Sequence, residues 1–185
     1  MKNVYCIMGR TASGKDTLVN TIIERFGDRF GYKKLKSYTT RPRRVGEGDT
    51  HIFINKSEVE NYTSRIVAYT KFGEYEYFAT SDQFEECDFY IIDPIGYYEL
   101  KQKTFYGELK NVNLVPILCL VASDERKRRS VLRGDDPEVF KAREEAENDR
   151  FNNLLDIEPN CYILDTTNLE EAVFEMLKIM DKGER

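Results

Sequence analysis

Hydrophobic positions along the chain fall into two kinds of run. Val4 to Met8 is a short, unbroken apolar segment, as expected of a strand covered on both faces. Phe89 to Ile92, Leu114 to Val121 and Cys161 to Leu164 repeat the pattern, and acids follow two of them, Asp93 and Asp165. Between the runs the period changes. Leu18, Ile22 and Phe26 recur every fourth residue and mark a helix face, with Gly27 placed to stop the helix. Thr167 and Glu170 have the spacing of a capping box, which predicts a last helix burying Ala172, Met176 and Ile179. Apolar strands separated by helical segments predict an α/β fold, with a parallel sheet and helices on both faces.

Two stretches depart from this alternation. From Ser37 to about Phe84 the chain is rich in Thr, Tyr, Gly and charge, with short β-like pieces at Ile52–Ile54, Ile66–Tyr69 and Tyr75–Phe78. That texture predicts an insertion between strands, not a separate domain. Residues 124–150 form a charged helical stretch, broken at Gly134-Asp135-Asp136-Pro137.

Composition narrows the picture modestly. A chain of 185 residues suits one domain with a core that needs no staples. The net charge of −5 does not favour nucleic acid or anionic lipid, so an anionic ligand has to be held by a local cluster of cations. Cys6, Cys87, Cys119 and Cys161 are far apart and form no CxxC pair, which argues against a disulfide framework or a zinc site. The first eight residues are too short for a signal-peptide core, and no apolar run reaches membrane-spanning length. A cytoplasmic location is expected.

The first strand leads into Gly9-Arg10-Thr11-Ala12-Ser13-Gly14-Lys15-Asp16-Thr17, which opens the first helix. Glycines let successive main-chain N–H groups converge, the helix terminus adds partial positive charge, and a lysine can reach terminal phosphates. The GxxxxGK spacing is intact, although Asp16 stands where Ser or Thr normally binds Mg²⁺. Two roles are open to Asp16: a Mg²⁺ ligand, since carboxylate oxygen is a hard donor, or a helix-capping acid.

A second cationic cluster follows. Ser37-Tyr38-Thr39-Thr40-Arg41-Pro42-Arg43-Arg44-Val45-Gly46-Glu47 places three arginines within four residues, and arginine forks bind phosphate oxygens two at a time. Arg126, Arg129 and Arg133 share one helix face, and Arg143 and Arg150 follow seven apart. Phosphoryl transfer needs positive groups around the moving phosphoryl and exclusion of water, which a mobile arginine-bearing lid supplies. For Arg126 and Arg150 surface ion pairs with neighbouring glutamates are the expected role.

Taken in order, the lysine-bearing loop, Thr39-Thr40-Arg41-Pro42-Arg43-Arg44-Val45-Gly46-Glu47, Asp93-Pro94-Ile95-Gly96 and Arg133-Gly134 with Arg143 resemble the guanylate kinase family over nearly the whole chain. The resemblance implies a P-loop three-layer enzyme in one domain, 1–185: a core (1–36, 85–123 and 156–185) that holds ATP with Mg²⁺, an acceptor-binding insertion (37–84) and a helical lid (124–155). Residues 9–17 would hold ATP. Ser37 would face the acceptor base, Arg41 and Arg44 its phosphate, and Asp93 its nucleoside. Tyr77 and Thr80 match the family's Tyr-Tyr-Gly-Thr segment, where Phe78 replaces a phosphate-binding tyrosine. Arg129, Arg133 and Arg143, with Lys15 and Arg41, would surround the transferred phosphoryl. Small-molecule nucleotides are the implied partners, and GMP or dGMP the implied acceptor.

The chain departs from the family at three points. His51, the only histidine, replaces an acceptor-binding tyrosine; Val67 or Ala68 stands near an expected guanine-reading glutamate; and Asp16 replaces the loop serine. Glu74 and Glu76 lie close enough in sequence to compensate for the missing glutamate. Gly14-Lys15-Asp16 and His51-Ile52 are also similar to the ribose 1,5-bisphosphate phosphokinases, so that acceptor or another monophosphate is the alternative. A non-catalytic guanylate-kinase-like interaction module is the alternative of another class, and Lys15 and the lid arginines argue against it. No Asn-Lys-x-Asp segment supports a GTPase.

Overall fold

The computed structural model describes residues 1–43 and 48–183. Four parallel strands, β1 (Lys2–Met8), β6 (Phe89–Ile91), β7 (Val112–Leu120) and β8 (Tyr162–Asp165), form a sheet in the order β6-β1-β7-β8. Tyr5 aligns with Phe89 and Val115 on the two neighbours of β1, and Ile117 of β7 with Tyr162 of β8. Parallel pairing leaves both faces to be covered by the crossover helices. Side chains of β1 therefore alternate between two cores. Val4, Cys6 and Met8 pack with Tyr90, Tyr97, Leu100 and Leu154, on the side of α3 (Pro94–Phe105) and α6 (Leu154–Ile157). Tyr5 and Ile7 pack with Leu18, Ile22, Ala172 and Met176, on the side of α1 (Lys15–Phe30) and α7 (Leu169–Gly183). The three layers of the α/β expectation follow directly from this period of two.

A second sheet, β3-β2-β5-β4, is built from β2 (Tyr38–Thr39), β3 (Ile52–Phe53), β4 (Ile66–Phe72) and β5 (Tyr75–Thr80). The β4–β5 hairpin turns at Gly73, whose φ of 61° favours glycine. A 3-10 helical stretch, Lys56–Arg65, precedes β4, and α2 (Ser81–Phe84) follows β5. Val67, Ala68 and Ala79 are buried in the core on the α3 side, which fixes this sheet to the main one. The charged stretch forms α4 (Ser123–Leu132) and α5 (Pro137–Phe151). Asp136 caps α5 by accepting the amides of Glu138 and Val139 at 2.8 and 3.2 Å, with Pro137 in the first turn.

Two helix boundaries differ from expectation. α1 runs through Gly27 and closes at Gly31 (φ 73°), whose N–H donates to the Gly27 carbonyl at 2.7 Å. Gly27 serves packing instead: a Cβ there would lie 3.3 Å from Ile23 Cγ2. α7 is capped by Asn168, which accepts the Glu170 and Glu171 amides at 3.0 and 3.4 Å. The Thr167–Glu170 box does not form, because Glu170 is drawn to Arg25 and the Thr167 amide to Asp165.

All four cysteines are free and buried. Burial pushes the thiols of Cys87, Cys119 and Cys161 up to about 12, as expected of inert core residues. Among the described residues no helix is long and apolar enough to cross a membrane.

Candidate functional site

The turn after β1 has a shape that its residues dictate. A Cβ at Gly9 would lie 2.5 Å from Ser13 Oγ and 2.9 Å from the Cys119 carbonyl, so only glycine fits. Ala12 and Gly14 take positive φ angles of 61° and 87°, and the Ser13 N–H closes back on the Arg10 carbonyl at 3.0 Å. Ser13 is enclosed, and its hydroxyl lacks a hydrogen-bond partner. Its carbonyl is held from outside by the Thr166 hydroxyl and by Arg129. Lys15 turns back along the loop, Nζ lying 3.4 Å from the Arg10 carbonyl. The result is a ring of main-chain amides with an ammonium on its rim, at the head of a 16-residue helix.

Helix α5 rests on this loop. The Glu147 carboxylate accepts the Thr11 N–H at 2.9 Å and the Thr11 hydroxyl at 2.6 Å. Arg10 donates to Asn148 and Asn152 at 2.7 and 3.1 Å and covers the Phe151 ring. Arg126 is buried rather than on the surface, paired with Glu144 at 2.7 Å and reaching the Thr11 carbonyl at 3.5 Å. A carboxylate on a loop amide occupies a place that suits a phosphate oxygen and repels one. Glu147→Gln is expected to tighten ATP binding about tenfold by removing a like charge worth roughly 1–2 kcal/mol. Calorimetric titration of both proteins with ATP measures this, and equal affinities would rule out competition at Thr11.

Loop and α5 form one wall of a cavity of about 280 Å³. The opposite wall is the second sheet, through Ser37, His51, Tyr69, Thr70, Phe72 and Tyr77; the floor is the end of β6, Tyr90 to Asp93. Ser37 Oγ lies 2.9 Å from His51 Nδ1, and the His51 ring meets Tyr77 edge-on at 5.7 Å. Asp93 caps α3 by accepting the Gly96 N–H at 2.8 Å. It also accepts the Thr70 hydroxyl at 3.0 Å and pairs with Arg150 at 2.5 Å.

A neighbouring cavity shares Phe72, Tyr77 and Arg143 with the first and adds Arg41 and Glu74. Arg41 is only 6% exposed, donates to the Pro42 carbonyl at 3.0 Å and lies 5.3 Å from the Phe53 ring, which Arg43 also covers. A guanidinium lining a cavity offers its planar fork to an anion's oxygens. On the far side of the loop a third cavity, about 300 Å³, is lined by Ala12, Gly14, Thr17, Arg129, Arg133, Thr166 and Thr167. Arg129 bridges Glu125 and the Thr166 carbonyl at 2.9 and 2.8 Å, while Arg133 pairs with Asp135. Arg128 and Arg129 together hold the Glu125 carboxyl at about 2.

Of the residues singled out from sequence, Lys15, Ser37, His51, Tyr77, Asp93 and Arg143 meet in the first cavity with Gly9 and Thr11, and Arg41 opens into its neighbour. Arg129 and Arg133 stand at the third cavity. Thr80 lies elsewhere: it is buried at the start of α2, where its amide bonds Gln83 at 3.1 Å. Arg44 falls outside the described residues. Val67 and Ala68 point into the core, and Glu76 accepts the Tyr69 hydroxyl at 2.8 Å. Glu147 and Arg150 were not anticipated as site residues. Their spacing was the available signal, since they follow Arg143 by four and seven and so share its helix face.

Asp16 has a side chain 58% exposed in the first turn of α1, 3.9 Å from Lys34 Nζ. Among the described residues no three acids, histidines or cysteines cluster to hold a metal ion. The Asp16 carboxylate, exposed in the first turn of α1, is a hard oxygen donor of the kind that Mg²⁺ accepts beside phosphate oxygens and water, and equally an acid suited to a helix N-terminus.

Comparison with known proteins bears on the fold. A family model described as guanylate kinase matches residues 1–87. No curated protein sequence gives a significant match. A crystal structure of guanylate kinase from Anaplasma phagocytophilum superposes with a TM-score of 0.62 at 19% identity, covering 98% of this chain and 86% of that one. The family model thus covers just under half of the chain, and over nearly its whole length the chain has the fold of that guanylate kinase structure.

Proposed function

We propose that the protein transfers the γ-phosphoryl group of ATP to the phosphate of a nucleoside monophosphate. One observation carries this reading: the lysine-bearing loop and the Arg41–Arg143 pocket open into adjoining cavities that share Arg143 and Tyr77. A triphosphate cradled by the loop amides and Lys15 would point its terminal phosphoryl at an acceptor phosphate gripped by Arg41. The acceptor oxygen attacks phosphorus as the bond to the β-phosphate oxygen breaks, and the electron pair leaves with ADP. That oxygen is already ionised at neutral pH, so no protein base is required. His51, hydrogen-bonded to Ser37, is left to position the acceptor. Lys15, Arg143 and Arg41 supply charge that meets the spreading negative charge of the transition state, and α5 over the loop keeps water out. Mg²⁺, which Asp16 would help to hold, would neutralise phosphate charge.

The family resemblance favours GMP or dGMP as acceptor. A coupled ADP-release assay with ATP and GMP, dGMP, AMP, CMP, UMP, dTMP and ribose 1,5-bisphosphate tests the reading. Turnover well above the ATP-only rate is expected with at least one monophosphate. ATP binding without turnover on any acceptor would favour the non-catalytic interaction module instead.

A further inference from the structure

We propose that Thr166 is a positioning residue for the phosphate loop: its hydroxyl holds the Ser13–Gly14 peptide so that the Gly14 N–H faces the phosphate. This rests on the reading that the loop holds the phosphates of a nucleotide.

Thr166 follows β8 directly and is only 5% exposed. Its N–H donates to the Leu120 carbonyl at 2.9 Å, which fixes the residue against the end of β7. The hydroxyl lies between two carbonyls, Leu120 at 3.0 Å and Ser13 closer still. A hydroxyl has one proton to give, and Leu120 already receives an amide, so the proton goes to Ser13. Arg129 is a poor substitute. Its Nη1 lies 3.4 Å from the Ser13 carbonyl, and the rest of its fork goes to the Thr166 and Thr167 carbonyls at 2.8 and 3.1 Å and to Glu125.

A trans peptide is planar, so its C=O and N–H point in opposite directions. Pinning the Ser13 carbonyl outward to Thr166 therefore aims the Gly14 N–H into the loop. That N–H closes no main-chain hydrogen bond among the described residues and stays open to an anion. The local backbone does not enforce this orientation by itself. Gly14 sits at φ 87°, and without a Cβ it takes negative φ as readily. The first helical bond of α1 runs from Leu18 to the Gly14 carbonyl at 2.9 Å, so the helix does not hold the Ser13 carbonyl. The Ser13 hydroxyl, enclosed and without a partner, offers no second anchor. Released from Thr166, the peptide can turn over and present a carbonyl to the phosphate in place of a donor.

The test titrates ADP into wild type, Thr166→Val and Thr166→Ser by calorimetry, and follows the Gly14 amide by NMR of isotope-labelled protein. Thr166→Val keeps the shape without the hydroxyl and should bind ADP about tenfold more weakly, while Thr166→Ser keeps the hydroxyl and should stay within about twofold of wild type. ADP should move the Gly14 amide proton downfield in wild type and Thr166→Ser, and much less in Thr166→Val. A purely structural role would lower the melting temperature and leave that signal unchanged. Thr166→Ala set against Thr166→Ser, a pair differing by one hydroxyl, repeats the comparison if the valine variant does not fold. Wild-type ADP affinity, or a Gly14 shift of wild-type size, in the variants lacking the hydroxyl overturns the proposal. A wild type that binds ADP but phosphorylates no acceptor ends the kinase reading and leaves this one standing; one that binds no ADP ends both.

Discussion

Lys15→Ala is expected to lower phosphoryl transfer by about 10²–10³-fold, the loss typical of removing one preorganised charge from a developing transition state. The ammonium stands on the rim of the loop, where terminal phosphate oxygens would lie, and makes one long contact with the Arg10 carbonyl. Little in the resting fold depends on it. Loop shape comes from Gly9, from the positive φ angles of Ala12 and Gly14, and from the grip of Thr166 and Arg129 on the Ser13 carbonyl. The melting temperature should therefore stay within about 2 °C of wild type, as for substitutions away from packed contacts. Turnover is read by ADP release and stability by thermal unfolding of the same preparations. A variant with wild-type turnover would show that the loop does not act on the phosphoryl.

Arg41→Ala should act on the acceptor and spare the donor. Its guanidinium is buried beside Phe53 and lines the pocket next to Arg143. Truncating one partner of a desolvated charge pair typically costs about 2–5 kcal/mol. A loss near 3 kcal/mol corresponds to a roughly 100-fold rise in the acceptor KM. The KM for ATP should change little, because Arg41 does not line the loop cavity. Arg41→Lys restores charge without the planar fork and should recover only part of the loss. Steady-state kinetics with each substrate varied in turn separate these outcomes. An acceptor KM unchanged in Arg41→Ala would remove Arg41 from the binding site.

These two residues were visible in the sequence because each belongs to a local pattern. The loop's glycines and lysine lie within seven consecutive positions after an apolar run, and Arg41 heads a dense cluster of arginines. The four parallel strands were equally plain, since burial on both faces demands unbroken apolar segments. Boundaries were less plain. Gly27 and Gly31 look alike on paper, yet only Gly31 takes the left-handed angle that ends α1, while Gly27 stays inside the helix with Ile23 beside it. Thr167 and Glu170 have capping-box spacing, but Arg25, from another helix, claims Glu170.

What the sequence determined alone was the period of each element and the chemistry of each short motif, for both depend on residues a few positions apart. Tertiary structure decided which side chains share a cavity. Glu147 meets Thr11 across 136 positions, and Arg150 meets Asp93 across 57. Those pairings depend on where α5 lands against the sheet, and its landing is set by packing and charge summed over several elements. No local period encodes such a sum, so the contents of the first cavity emerged only once the chain was folded.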